Sequence, residues 1–374
     1  MVDPQQIVVV ASDFGEQRSA TTTRYLALAA AAERAQVEVL VVNQYGLTTP
    51  SRALLPIDAP RANQRSLPER VLRELWAGLS MAWRIPRGGT AIVGMPPVVT
   101  ALLVCSALRI LRRRYWLDVR DLYPDVLFAA GVLAKNSLGD RALRFWIEWT
   151  YEGAERLVAA TEDIAKRLER RTSRPVSLVR NGFGGRFAPH AMPDISIPIL
   201  SSHGTLGRFQ NSELLAEVVL EARRRGLPWK FLVIGDGPNA APLSAAEGPT
   251  LTWHRFASQE TLPHILSETA IGMSFRTRDE ISAGSIPVRM LEYLGLGVPV
   301  LVHPDSEGGA EIAANSMGEV VDDADAGEIV DRLQQMLEPK RYEALRRAVL
   351  ERRDNYSGPS QWAELLANLH RPAK

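Results

Sequence analysis

Cysteine is almost missing from this sequence. Cys105 is the single one in 374 residues, which excludes an intrachain disulfide framework and a cysteine-rich zinc site. A reducing, cytoplasmic setting is therefore expected. Net charge is also nearly absent, with 44 Lys plus Arg against 43 Asp plus Glu, so no overall field favours nucleic acid and no nucleic-acid partner is expected. Lysine is scarce, only Lys135, Lys166, Lys230, Lys340 and Lys374, so the basic residues are overwhelmingly arginine. The longest mostly apolar stretch, 98–111, is broken by Arg109 and is too short to span a bilayer. Residues 1–11 lack the basic region, long apolar core and cleavage site of a signal peptide. The six histidines show no metal-ligand spacing, and no metal is expected. What is present is a globular composition, 46% hydrophobic with 27 Gly and 24 Pro, in a chain long enough for two domains.

Short β-branched runs alternate with longer helical patterns, the signature of βαβ units on a parallel sheet. Strands are predicted at 7–11, 37–42, 91–93, 115–119, 156–159 and 176–179, with helices at 21–35, 67–83, 98–113, 141–151 and 162–170. Pro189, Pro193 and Pro198 punctuate a stretch without periodicity, which places the interdomain linker between Arg186 and Ile197. The pattern then restarts, with strands at 199–202, 230–234, 271–275 and 298–302 and helices at 212–225, 262–268, 287–296 and 325–337. The expected fold class is α/β, two facing Rossmann-like domains at 1–190 and 191–354 with a cleft between them. Ligands of open α/β sheets sit beyond the carboxyl ends of the strands.

The loops of the second half carry the sharper signals. Residues 203–208 follow a strand and precede a helix, so Gly204 and Gly207 allow close backbone approach while Arg208 offers a bidentate charge to phosphate. Gly235 and Gly237 end another strand, where a plain structural turn is the simpler reading. The segment 285–300 is the most informative. Ser285 is expected to cap a helix that Pro287 begins, leaving free amides and a positive dipole end as an anion site. Arg289 adds charge in the first turn, and Glu292 follows three residues later on nearly the same face. Two readings stand: an Arg289–Glu292 surface ion pair worth a few tenths of a kcal/mol, or Arg289 on a diphosphate and Glu292 on a sugar hydroxyl.

In this order and spacing, residues 204–208, 235–238 and 287–300 resemble the donor half of a retaining GT-B glycosyltransferase of glycosyltransferase family 4. In the first half, residues 118–125 with Gly131, Val132 and Leu133 are similar to a subgroup that builds bacterial cell-surface polysaccharides, and residues 180–183 resemble the turn closing the family's first domain. The resemblance implies no cofactor beyond a nucleoside-diphosphate sugar as co-substrate. Its acceptor would be a carbohydrate, lipid-linked or small-molecule hydroxyl. Glu292 would hold the donor ribose, the amides near Ser285, Ile286 and Pro287 would meet the diphosphate, and Gly204 and Gly235 would let the donor pack on backbone. Arg208 and Arg289 would neutralise the leaving group, with the base near Arg255 and Phe256. The acceptor side would comprise Gly15, Arg120, Asp121 and Tyr123, with Asp118 structural and Asp121 either accepting a proton or orienting Arg120. The C-terminal residues 355–374 would return to the first domain through a stripe of Trp362, Leu365, Leu366 and Leu369.

The sequence also departs from that pattern. A lysine expected one turn after Arg208 is replaced by Phe209, Gln210 and Asn211, and a glutamate eight residues before Glu292 is replaced by Gly284, with Asp279 or Glu280 as substitutes. Arg120 stands where histidine is common, so the leaving phosphate is expected to take the acceptor proton. The first loop offers only Gly15, with Arg18 or Arg24 expected to face the cleft. A nucleotide-sugar epimerase or hydrolase and a non-catalytic GT-B partner are the competing classes; the presence of Arg208, Arg289 and Glu292 argues against the second. Residues 67–87, with Trp76 and Trp83 among basic residues, and the Arg-ended stretch 98–114 either pack on the sheet as ordinary helices or make peripheral contact with an anionic membrane.

Overall fold

The computed structural model describes residues 6–15, 20–52, 67–129, 131–258 and 260–367. The chain divides into two compact units: unit 1 comprises Met1–Arg180 and Gly358–Lys374, and unit 2 comprises Asn181–Ser357.

Unit 1 is built on seven strands, β1 (Gln6–Val10), β2 (Glu38–Asn43), β3 (Gly46–Thr48), β4 (Thr90–Met95), β5 (Tyr115–Val119), β6 (Arg156–Ala159) and β7 (Val176–Leu178). Their spatial order is β3-β2-β1-β4-β5-β6-β7, parallel throughout except for β3 against β2. Central strands β1 and β5 are buried along their whole length, because helices cover both faces and leave no solvent side for polar residues. The helices are α1 (Ala20–Arg34), α2 (Leu67–Arg84), α3 (Val98–Ile110), α4 (Asp125–Ala129), α5 (Leu138–Gly153) and α6 (Glu162–Glu169). One face of the sheet packs Met81, Leu102, Cys105, Leu108, Ile147 and Tyr151, the other Tyr25, Leu28 and Trp116.

Unit 2 carries β8 (Ile199–His203), α7 (Ser212–Arg224), β9 (Lys230–Ile234), β10 (Leu251–His254), α8 (Leu262–Ile265), β11 (Thr269–Phe275), α9 (Glu280–Ala283), α10 (Val288–Gly295), β12 (Val300–His303), α11 (Glu307–Ala314), β13 (Gly318–Val320), α12 (Ala326–Met336) and α13 (Pro339–Arg352). Its sheet is wholly parallel in the order β10-β9-β8-β11-β12-β13. The strand order reverses between β8 and β11, the place where such sheets open a crevice for ligands.

The last helix, α14 (Gly358–Ala367), belongs to unit 1 and packs on α1. Trp362, Leu365 and Leu366 are buried there, with the Trp362 ring 6.5 Å from that of Tyr25; Leu369 lies outside the described residues. The units divide after Arg180, ahead of the proline-rich stretch expected to link them. Phe183 and Phe187 explain the difference, since both are buried in a core with Met290, Leu294 and Val349 of unit 2. Arg353 ties this segment down by donating to Gly295 O at 3.1 Å and Phe187 O at 2.9 Å. The elements β3, β10, β13, α4, α9 and α11 have no counterpart in the sequence reading, because they carry neither a clear β-branched run nor a helical period.

Candidate functional site

At the carboxyl edge of the unit 2 sheet, the loops after β8 and β9 lie backbone to backbone. Gly204 N donates to Ile234 O at 2.9 Å and Leu206 N to Asp236 O at 3.1 Å. Gly235, at φ +137°, is so close that a Cβ would lie 2.0 Å from Gly204 O, and a Cβ on Gly237 would lie 2.4 Å from Leu206 O. Both glycines are thus required by the close approach of the loops, in a left-handed conformation at Gly235. Gly204 (φ +105°) faces Arg289, whose Nη2 lies 3.0 Å from where a Cβ would stand.

Arg289 is 9% exposed. Among the described residues it forms no ion pair, and burial, reinforced by the charge of Arg276, pulls its pKa down to about 10. Arg276, directly after β11, is likewise pushed below its ordinary value by burial; its Nε donates to Ser282 Oγ at 3.2 Å. Two desolvated guanidinium groups therefore sit where the strand order reverses. Arg276 escaped sequence reasoning because an arginine after a strand carries no motif of its own.

Of the two readings of Arg289 and Glu292, the surface ion pair does not form, for Glu292 is buried and bonded to His203. His203 Nε2 donates to Glu292 Oε2 at 2.7 Å. The ring of Tyr293 packs edge-on against the imidazole at 4.7 Å, and its hydroxyl donates to Ser201 O at 2.8 Å. Gly272 makes room for it, since a Cβ there would lie 2.3 Å from the Tyr293 ring. His203 was overlooked in the sequence, where six scattered histidines showed no spacing; its position at the last residue of β8 was the available signal.

Ser285 does not cap α10. Its hydroxyl donates back to Ser282 O at 2.8 Å, and Pro287, expected as the first helical residue, occupies the N-cap position instead, with no side-chain cap. The N-terminus of α10 stays open because Pro287 has no hydroxyl or carboxyl to offer its amides. Ile286 is buried in the apolar core of unit 2. Asp279 is committed to capping α9: its carboxylate accepts from Ser282 N at 2.8 Å, Ser282 Oγ at 2.9 Å and Thr277 Oγ1 at 2.7 Å, and these bonds hold it below its ordinary pKa against its desolvation. Glu280 is exposed. Arg208 is exposed in the loop after β8 and makes no ion pair among the described residues, while its carbonyl accepts from Asn239 Nδ2 at 3.4 Å. Arg255 lies over the Trp253 ring at 3.3 Å and faces Asp236 and Glu247, each at 3.8 Å; Phe256 beside it is exposed.

In unit 1, Asp118 is fully buried and takes a bidentate pair from Arg24 (2.8 and 2.7 Å) together with the Tyr25 hydroxyl at 2.8 Å. Arg24 is consequently an internal ion-pair partner and not a surface cation; Arg18 lies outside the described residues. Gly15 adopts φ +104° and its amide donates to Thr22 Oγ1 at 3.0 Å. Arg120, just past β5, donates to Thr21 Oγ1 and, at 2.7 Å, to Pro96 O. Among the described residues no hydrogen bond joins it to Asp121, but the two opposite charges attract one another. Desolvation raises the Asp121 carboxyl above its ordinary pKa, with Arg120 pulling the other way. Tyr123 is a core residue, buried beside Leu117 and Leu157.

Residues 198–339 match the family model of the glycosyl transferases group 1. That match covers the β8 loop, Arg276, Arg289 and Glu292. The chain is also 26% identical over 197 residues to a probable glycosyltransferase, WbjE, of Pseudomonas aeruginosa, 48% of each chain, and so spans about half the length of the curated relative it matches. Among solved structures, it resembles the sucrose-phosphate synthase of Thermosynechococcus elongatus (14% identity, 98% of both chains, TM-score 0.65) and Anabaena HepE in complex with UDP and glucose (13% identity, 96% of this chain and 99% of that one, TM-score 0.63). These likenesses establish the fold, an α/β chain of two parallel-sheet Rossmann-like domains of the GT-B kind.

Proposed function

We propose that the chain is a metal-independent, retaining glycosyltransferase of family 4 type that moves a sugar from a nucleoside-diphosphate sugar to an acceptor hydroxyl in bacterial glycan or glycoconjugate biosynthesis. The observation that carries this reading is Arg289, a buried guanidinium with no ion-pair partner among the described residues, set beside Gly204 at a sheet's carboxyl edge. A buried unpaired cation is unfavourable in a folded protein, and a diphosphate supplies the missing anion. The open N-terminus of α10 adds amides and a positive dipole end, and exposed Arg208 is free to reach the same phosphates.

In this reading Glu292, fixed by His203, accepts hydrogen bonds from the donor ribose, and the base lies near Arg255 and Phe256. As the acceptor oxygen bonds to the anomeric carbon, the bond from that carbon to the diphosphate breaks. Its electron pair leaves with the diphosphate, which also takes the acceptor proton. Cations and amides already in place stabilise the charge that grows there. Asp121, Arg120 and Gly15 of unit 1 address the acceptor, which is a carbohydrate, lipid-linked or small-molecule hydroxyl. The single, buried Cys105 fits a reducing, cytoplasmic setting.

The family match of residues 198–339 supports the donor assignment, and the UDP and glucose in the HepE structure make UDP the first nucleotide to try. A thermal-shift panel of UDP, GDP, ADP and dTDP with their sugars tests the reading. At least one is expected to raise the melting temperature, a ligand at 100 times its Kd adding about 2.7 kcal/mol. No shift from any of them overturns it.

A further inference from the structure

We propose that the outer face of α2, with the basic turn at its end, docks on an anionic lipid bilayer. Leu72, Trp76, Leu79 and Trp83 recur at helical spacing and are 65, 66, 65 and 93% exposed. The opposite face is already used: Ala77 and Met81 are buried, and Gly78 lies so close to α3 that a Cβ would stand 2.9 Å from Leu103 Cβ. Both faces of α2 therefore carry apolar residues, and among the described residues only one is covered. A surface helix normally turns its polar side outward, and a contiguous exposed apolar row marks a contact surface.

Neighbouring α3 behaves differently. Ala101, Leu102, Val104, Cys105 and Leu108 are buried in the core of unit 1, so this helix packs on the sheet as an ordinary layer helix and exposes only Ile110 and Leu111 at its end. That end adjoins the last turn of α2. Arg113 Nη1, from the turn after α3, donates to Ile85 O at 3.1 Å, and its other terminal nitrogen donates to Pro86 O. Burial, and then the nearby charge of Arg87, lower the Arg113 pKa.

Arg84 and Arg87 follow Trp83 in the sequence, and Arg113, next to Arg112, reaches back to Ile85 and Pro86; Arg87 and Arg112 are exposed, Arg84 and Arg113 half-buried. Among the described residues none of the four forms an ion pair, whereas Arg114 is paired with Glu155. Unneutralised arginines beside exposed indoles and leucines match the headgroup zone of an anionic membrane, where Trp sits at the interface and Arg meets phosphate. Among the described residues no helix is long and apolar enough to cross a membrane, so the contact is one of lying on the surface. It stands on unit 1 alone and fails or holds separately from the donor-site reading.

The test is flotation of the full chain with vesicles of phosphatidylglycerol and phosphatidylcholine, against vesicles of phosphatidylcholine alone. The chain is expected to float with the anionic vesicles and much less with the neutral ones. Trp76→Ser combined with Trp83→Ser is expected to weaken binding by about tenfold or more, and Arg87→Glu with Arg112→Glu by about fivefold per charge removed. Because these side chains are exposed, or at the rim, the variants should melt as the wild type does. Absence of flotation with anionic vesicles overturns the proposal, as does binding that the double tryptophan variant leaves unchanged. A concentration-dependent dimer that the tryptophan variant abolishes, without vesicle binding, assigns the face to a second copy of the chain instead.

Discussion

The imidazole of His203, at the end of β8, holds the carboxylate of Glu292, on α10, through a 2.7 Å hydrogen bond between two buried side chains 89 residues apart. A strand end and a helix are thereby joined at the point where the sheet reverses its order. Glu292 acts with His203 as a unit, and its orientation follows from the strand as much as from its own helix.

His203→Ala should leave the Glu292 carboxylate buried without its donor. The expected loss of stability is about 1–3 kcal/mol, accompanied by weaker nucleotide binding. Thermal denaturation and calorimetric titration with UDP report the two effects separately. Wild-type affinity in both His203→Ala and Glu292→Ala would contradict the donor-site assignment.

Arg289→Met removes a desolvated cation while keeping most of its volume. The nucleotide-free protein should become more stable, on the order of 1–4 kcal/mol, and lose its response to nucleoside diphosphates. The sign follows from the depressed pKa near 10: the folded state disfavours the charged form, so the wild type's penalty is present below pH 10 and is relieved as pH rises through that value. Chemical denaturation at neutral pH, with and without UDP, measures both parts; an unstable Arg289→Met that still binds UDP would refute them. Arg208→Ala, at an exposed position, should lower turnover with no change in melting temperature.

Asp121→Asn addresses a carboxyl that burial has raised above its ordinary value of 3.8. Such a group contributes stability below that value and loses it as pH rises through its higher folded pKa. The variant should therefore melt higher than the wild type at pH 7, with the gap closing on acidification below the ordinary value, and acceptor-dependent turnover should fall. Melting curves across pH that stay parallel would rule out the buried-carboxylate account.

Gly235→Ala places a methyl group 2.0 Å from the Gly204 carbonyl at φ +137°. Backbone opposes it on one side and conformational strain on the other, so destabilisation of about 2–4 kcal/mol is expected, with loss of nucleotide binding as the two loops part. Denaturant unfolding measures the first, and a nearly neutral substitution would show that the loops separate freely.

Most of the fold was legible in the sequence because buried strands read as compact apolar runs and the longer helices repeat with their own period. Residues 115–119, 156–159 and 230–234 were placed to the residue for that reason. Elements such as β13 and α9 were not, since they carry neither an apolar run nor a period and are held by neighbouring strands and caps. At the site, the residue types and their order pointed to Gly204, Gly235, Arg289 and Glu292, because turn chemistry and charge are local properties. Which groups pair was not local. Glu292 was set beside Arg289 by helix spacing, yet tertiary packing gave it His203 from a strand and left Arg289 buried with no ion pair among the described residues. Ser285 had the right chemistry for a cap, but the chain turned it toward α9. The sequence by itself determined two Rossmann-like halves and singled out the candidate loops of the second; only the tertiary structure decided which charges are compensated, because burial and pairing depend on what distant segments bring to the same place.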